Sequence, residues 1–132
     1  MRSRGFSLLE MLVTLAIVGI LIAVSYPSYQ QYVLRSYRAE AVTALLELAT
    51  KQEQWLLEQG RYSNQLTDLG FTQPVTASGR FRIELTQADP AQFLLKVKAQ
   101  GPQLQDKTCL QYSLNHFGQR NVGLTESLSC WD

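Results

Sequence analysis

One carboxylate stands where a carboxylate is costly. Glu10 lies near the start of an apolar run that carries no other charge from Phe6 to Tyr26. An acid at the middle of a lipid-crossing helix costs on the order of 3 kcal/mol, and less near the interface. Either the side chain reaches back to the headgroups, or a cation neutralises it in the apolar medium. Two cysteines, Cys109 and Cys130, bracket the last part of the chain. Outside the cytoplasm an even count favours a disulfide. Closing a loop of about 22 residues removes about 3.4 kcal/mol of unfolded-state entropy on the chain-entropy model. Two free thiols or a zinc site is the weaker alternative, because no further ligands stand at a usable spacing and His116 is the only histidine. Four basic residues alternate along two expected strands: Arg80 with Arg82, and Lys96 with Lys98. If those strands pair, the four cluster on the solvent side, and Lys107 and Arg120 extend the cluster. Such a patch would contact phosphates with salt-dependent, sequence-poor affinity. The same residues equally serve as a solvated face that blocks edge pairing, and Glu84 and Leu94 dilute the patch. Nothing suggests catalysis: there is no Ser/His/Asp arrangement, no Gly-rich phosphate loop, and His116 sits alone in a turn. No metal site and no cofactor are expected.

The elements that position these groups follow from periodicity. Phe6 to Tyr26 is about 31 Å of helix at about 1.5 Å per residue, enough for one membrane span. No small-residue cleavage site follows it, unlike an ordinary secretory signal. Arg2 and Arg4 lie in front, which places the amino terminus in the cytoplasm and the rest of the chain outside the inner membrane. Arg35 and Arg38 oppose that orientation from further along the chain. The chain has 12 basic and 11 acidic residues, a formal charge of +1, so bulk charge selects no partner. Losing Arg2 and Arg4 would reverse its sign. Tyr26, Tyr29 and Tyr32 suit an interfacial aromatic belt. Pro27 marks a break or kink, and Gly19 a second weak point.

Beyond Pro27, Leu34, Tyr37, Ala41, Leu45, Leu48, Gln52 and Trp55 recur at spacings of three and four, an apolar face interrupted by Gln52. Glu47 and Lys51 add a favourable pair four apart, and Gly60 ends the helix. Residues 61–79 read as a connecting loop with a short turn at Asn64 to Leu69. The period then becomes two. Strands are expected over 80–86, 93–100 and 108–114, with turns at Ala88-Asp89-Pro90 and Asn115 to Gly118, and a short fourth strand over Gln119 to Val122. The fold class is α+β: a long helix from about Phe6 to Gln59, its outer half packed on a three- or four-stranded antiparallel sheet.

The combination of Gly5, Phe6, Leu8, Leu9, Glu10 and the apolar run resembles the class III leader of type IV pilins and related pseudopilins. Pro27-Ser28-Tyr29-Gln30-Gln31-Tyr32 resembles the stretch after the anchor in type IVa pilins. Gln52-Glu53-Gln54-Trp55, Gly60-Arg61-Tyr62, Leu69-Gly70, Asp106-Lys107-Thr108-Cys109, Leu114-Asn115, Gly118-Gln119-Arg120 and Cys130-Trp131 resemble minor pilins of the PilE and ComP type.

The resemblance implies a type IV pilin fold divided into a leader (1–5), a transmembrane and filament-core helix (6–29) and a periplasmic domain (30–132). Within that domain, helix 30–59 leads through loop 60–79 to the sheet and disulfide region 80–132. It implies cleavage by a prepilin peptidase between Gly5 and Phe6, methylation of the new Phe6 amine, and pairing of Glu10 with that amine on a neighbouring subunit. The tyrosine cluster would add contacts between subunits. The implied function is that of a minor pilin serving pilus assembly, twitching motility, adhesion or DNA uptake. Its partners would be other major and minor pilins, the assembly platform and the ATPase. It would sit in the inner membrane first and at the cell surface afterwards. In resembling filaments the Gly19–Pro27 stretch loses helical order. A major pilin, a type II secretion pseudopilin and a DNA-uptake receptor using Arg80, Arg82, Lys96, Lys98, Lys107 and Arg120 share the leader. The cysteine pair argues against a pseudopilin, since major pseudopilins commonly carry a calcium site instead.

Overall fold

A computed structural model describes the chain from Gly5 to Asp132, apart from the side chains of Gln87 and Ala88. Arg2, Arg4 and the rest of residues 1–4 lie outside the described part. Helix α1 runs Leu8–Gln59. It starts two residues later than the pattern suggested. It also continues through Pro27, where the sequence pointed to a break or kink. Proline removes one hydrogen bond and crowds one carbonyl, and the turns on either side carry the helix past that local cost. Gly60 ends it at a positive φ of 71°, where a side chain would be strained.

The chain divides into two compact units, one up to Val33 and one from Leu34 to Asp132. In the first, every described residue up to Tyr32 is exposed, including Leu8, Leu12, Leu15, Ile20 and Val24. Among the described residues α1 is the one helix long and apolar enough to cross a membrane.

In the second unit, strands β1 (Phe81–Asp89), β2 (Gln92–Ala99) and β3 (Gln111–Asn115) form an antiparallel sheet in the order β1-β2-β3. Phe81, Ile83, Phe93, Leu95 and Val97 point inward at every second position, as a half-buried sheet requires. They meet Ala41, Leu45 and Leu48 of α1, with Tyr112, Leu114 and the disulfide closing the core. The tight β1–β2 turn is held by the Asp89 carboxylate, which accepts from the Ala91 amide at 2.7 Å.

Two expectations about the carboxy-terminal half change. The third strand begins at Gln111 instead of Thr108, because Gly101–Gln105 forms a short 3-10 turn and Asp106 and Cys109 are held by other partners. The expected fourth strand shrinks to a single bridge between Leu114 and Arg120. There Asn121 takes a left-handed φ of 54° and turns the chain away. Asparagine tolerates that conformation because its side chain makes local hydrogen bonds.

Candidate functional site

Three places carry the groups singled out by the sequence: the start of α1, the outer face of the sheet, and the carboxy-terminal loop. At the start of α1 the Ser7 hydroxyl accepts a hydrogen bond from the Glu10 amide at 3.2 Å. Ser7 therefore caps the helix, and Glu10 occupies its third position, the S-x-x-E arrangement of a capping box. A carboxylate there also faces the positive end of the helix macrodipole. The S-x-x-E spacing is itself readable in the sequence. Phe6, next to the expected cut, is 76% exposed, with Gly5 beside it also exposed. Further along, the Gln30 amide donates to the Tyr26 hydroxyl at 3.0 Å, while Tyr29 and Tyr32 stay exposed.

On the sheet the basic residues are not one cluster. In register Arg82 faces Lys98 across β1 and β2, and Lys96 faces both Glu84 and Ser113. Lys98 is neutralised by Glu84 at 2.9 Å. Arg80 leaves the expected group of four. Its guanidinium lies 4.0 Å from the centre of the Tyr37 ring on α1, and it also donates to Gln103 at 3.5 Å. The π face of Tyr37 attracts the cation more than open solvent holds it. Arg82 is exposed and Lys96 half-buried; among the described residues neither forms an ion pair. Lys107 is exposed beyond the 3-10 turn, and Arg120 lies over the Trp131 ring at 5.0 Å. The structure thus groups Arg82, Lys96 and Lys98 with one acid, and sets Arg80, Lys107 and Arg120 apart.

The carboxy-terminal loop is built on Cys109–Cys130, with an S–S distance of 2.03 Å and both residues buried. The disulfide expected from the cysteine count is present. Asn121 locks the loop. Its side-chain oxygen accepts from the Ser113 amide at 3.2 Å and from the Trp131 indole at 2.9 Å, and its amide donates to the Glu126 and Ser127 carbonyls. His116 packs against Phe93 and Phe117 and gathers no ligand set. No group of acids, histidines and cysteines among the described residues is arranged to hold a metal.

Polar groups tie the helix to this frame. The Arg38 guanidinium donates two hydrogen bonds to Asp106, at 2.7 and 2.8 Å, and Asp106 is only 4% exposed. The Asp106 carboxylate raises the Arg38 pKa further, against the opposing effect of burial. Burial likewise pushes the Tyr112 hydroxyl well up. Gln103, fully buried, donates to the Leu34 carbonyl at 3.0 Å. Gln52, the break in the apolar stripe, is fully buried; its amide donates to the Ser63 carbonyl at 2.8 Å and its oxygen accepts from the Ser63 amide at 2.9 Å. The only sequence signal for Gln52 was a polar residue where an apolar one was due.

Residues 27–113 match the family model described as "Type IV minor pilin ComP, DNA uptake sequence receptor". This chain belongs to the type IV pilin family. Residues 1–26 match the prokaryotic N-terminal methylation motif, in agreement with the leader resemblance. The pilin is 40% identical over 70 residues to the type IV major pilin protein PilA of Myxococcus xanthus, covering 53% of this chain and 32% of that protein. It is 34% identical over 91 residues to a fimbrial protein of Pseudomonas aeruginosa, covering 63% and 59%. It is also 34% identical over 71 residues to the type IV major pilin protein PilE1 of Neisseria gonorrhoeae, covering 54% and 43%. The matched part of the pilin thus spans between a third and three fifths of these relatives. A solved type IV pilin from Shewanella oneidensis shares the fold, with a TM-score of 0.51 and 23% identity over 78% of this chain and 98% of that one. The family is one of structural subunits, not of enzymes.

Proposed function

We propose that this pilin is a minor subunit of a type IV pilus. The observation that carries the reading is the match of a minor-pilin family model across the helix and sheet of the globular part, residues 27–113. The exposed apolar stretch of α1 supports it, because such a surface needs lipid or neighbouring helices to cover it. In this reading a prepilin peptidase cuts between Gly5 and Phe6, and the Phe6 amine is methylated. The helix holds the chain in the inner membrane with its carboxy-terminal domain in the periplasm. The assembly platform and ATPase then move it into the filament, among other major and minor pilins.

Glu10, near the helix start, meets the Phe6 ammonium of a neighbouring subunit and sets the axial register, since opposite charges attract strongly once water is excluded. Normal pilus incorporation of a Glu10→Ala variant would refute that role; the expected result is normal membrane insertion with reduced incorporation. A Gly5→Arg variant should remain at full length. The minor assignment is tested by copy number in sheared pili, and the role by a deletion strain scored together for surface pili, twitching and transformation. High abundance in sheared pili would make it a major pilin. An unchanged deletion strain would remove the pilus reading.

A second reading, DNA binding during uptake, is favoured by the match to a family model described as a DNA uptake sequence receptor and by the exposed Arg82 beside Lys96. Phosphate contacts would give a steep salt dependence. The domain from Gln30 onward, titrated with duplex DNA across a salt series, decides it. Loss of binding on changing Arg82, Lys96 and Lys98 to alanine supports it, with smaller effects at Arg80, Lys107 and Arg120. Absence of binding at low salt removes it.

A further inference from the structure

The outer edge of β1 is covered over only part of its length. The Gln100 amide donates to the Arg80 carbonyl at 2.8 Å, which sets the alternation: Arg82, Glu84 and Thr86 bond to β2. Ile83 and Leu85 therefore turn their backbone groups to the other side, where no further strand of the sheet lies. The preceding loop covers the start of that side. The Thr76 amide donates to the Phe81 carbonyl at 2.9 Å, and the Ile83 amide donates to the Pro74 carbonyl at 2.8 Å. Pro74 has no N–H with which to return the bond, and the ladder stops there. The next rung is bare: among the described residues nothing bonds the Leu85 amide or carbonyl from this side. The chain meets the edge again just past the strand, where the Tyr62 amide donates to the Pro90 carbonyl at 2.9 Å. Beside Leu85 lies an open groove of about 400 Å³. Leu66, Phe71 and Leu85 give it an apolar floor, and no charged residue lines it. The exposed Asn64, Gln65 and Gln73 stand around it, and none of their side-chain amides is hydrogen-bonded among the described residues.

We propose that this groove takes an extended, uncharged segment of a partner protein, added to β1 as a short outer strand. The Leu85 rung offers one donor and one acceptor on the same edge, which an extended backbone returns in kind. That backbone has a second edge, and the Asn64, Gln65 and Gln73 amides, each both donor and acceptor, can serve it. A side chain of the segment directed at the floor meets Leu66 and Phe71. A charged side chain there would lose hydration without gaining a counter-charge, so neutral sequence is selected. The register shift between Thr86 and Asp89 ends the bare stretch and keeps the added strand to a few residues.

The test needs no filament, so its outcome is independent of the pilus reading. Full-length pilin in detergent micelles is titrated with a blocked heptapeptide alternating valine and threonine, and amide hydrogen exchange is followed residue by residue. Exchange at the Leu85 amide should slow about tenfold with peptide at ten times its Kd. The same peptide with every interior amide N-methylated has no donor for the Leu85 carbonyl and should bind about tenfold more weakly or worse. Phe71→Ala, which thins the floor and leaves the rung intact, should weaken binding of the unmodified peptide roughly three- to tenfold. No slowing at Leu85, equal binding of the methylated peptide, or binding indifferent to Phe71→Ala overturns the proposal. Slowing at Leu85 that rises with pilin concentration in the absence of peptide means that a second copy occupies the edge, and it overturns the proposal as well.

Discussion

Replacing Gln52 by leucine sets two lines of reasoning against each other. On pattern alone the change completes an apolar face and should stabilise the helix. In the structure it removes both partners of Ser63, whose amide and carbonyl are held by the Gln52 side chain at 2.9 and 2.8 Å, in a residue only 3% exposed. A buried backbone group left without a partner costs about 1–3 kcal/mol, so two cost about 2–6 kcal/mol. The buried leucine returns about 1–2 kcal/mol of transfer free energy. The net expectation is a loss, about 2–3 kcal/mol at mid-range within bounds of about 0–5 kcal/mol. Urea denaturation of the domain from Gln30 onward, disulfide intact, measures it as a lower midpoint with an unchanged slope. A Gln52→Leu variant as stable as the parent, or more so, refutes the reasoning. Gln52→Glu supplies a control. It keeps an acceptor for the Ser63 amide but faces the Ser63 carbonyl with negative charge, so it should be less stable at neutral pH and recover in acid, where the protonated carboxyl donates again.

Arg38→Met strands the buried Asp106 carboxylate and should cost about 3–5 kcal/mol, and a double Arg38→Met, Asp106→Leu variant should regain most of it; a double variant no better than the single in urea denaturation counts against an ion-pair origin. Cys109→Ser, which opens the carboxy-terminal loop, should cost about 2–5 kcal/mol, read as a lower Tm; equal thermal stability with and without reductant in the parent would contradict it. Glu40 is expected to shape the acid limb of stability. Burial would raise its pKa, but the Ser78 amide and hydroxyl, which donate to its carboxylate at 3.0 and 2.9 Å, and the charge of Arg80 hold it below the usual carboxylate range. A depressed folded pKa stabilises above the unfolded value and loses that contribution as pH falls through the folded value. Glu40→Gln should therefore flatten stability against pH on the acid side and leave the alkaline side unchanged; an unchanged acid limb in denaturation series would refute it.

What the sequence disclosed was whatever repeats. The helical stripe and the strand alternation follow from burying one face, so Leu45, Leu48, Phe81, Ile83, Leu95 and Val97 were placed from spacing alone. The disulfide followed from an even cysteine count. The polar cross-ties did not repeat and were not legible. Arg38 meets Asp106 across 68 residues and Gln103 meets Leu34 across 69, and no local pattern encodes such a pairing. The basic residues group differently from the expected cluster for a related reason. Strand alternation says which side of a sheet a residue leaves from, but Arg80 stands at the strand's start, where its long stem carries the guanidinium to Tyr37. The fourth strand shrank because Asn121 takes a left-handed φ of 54° that a strand cannot hold, with its side chain bridging Ser113 and Trp131.

The start of α1 joins these two kinds of information. Ser7 and Glu10 are three apart, a local relation that fixes where the helix begins. Because the cap is made by Ser7, it uses no residue before the expected cut at Gly5, and the helix start survives removal of the leader. That cut would create an amine at Phe6, one residue ahead of the cap and four ahead of Glu10. Within one helix the amine and carboxylate are separated by a capped first turn whose own amides already favour negative charge. The helix start therefore favours the Glu10 carboxylate, which suits a lone subunit near the membrane surface. In an apolar filament core, where no headgroup or water is within reach, that partial relief falls short of a full counter-charge. In the proposed reading that charge comes from another chain, whose Phe6 amine the same processing would provide.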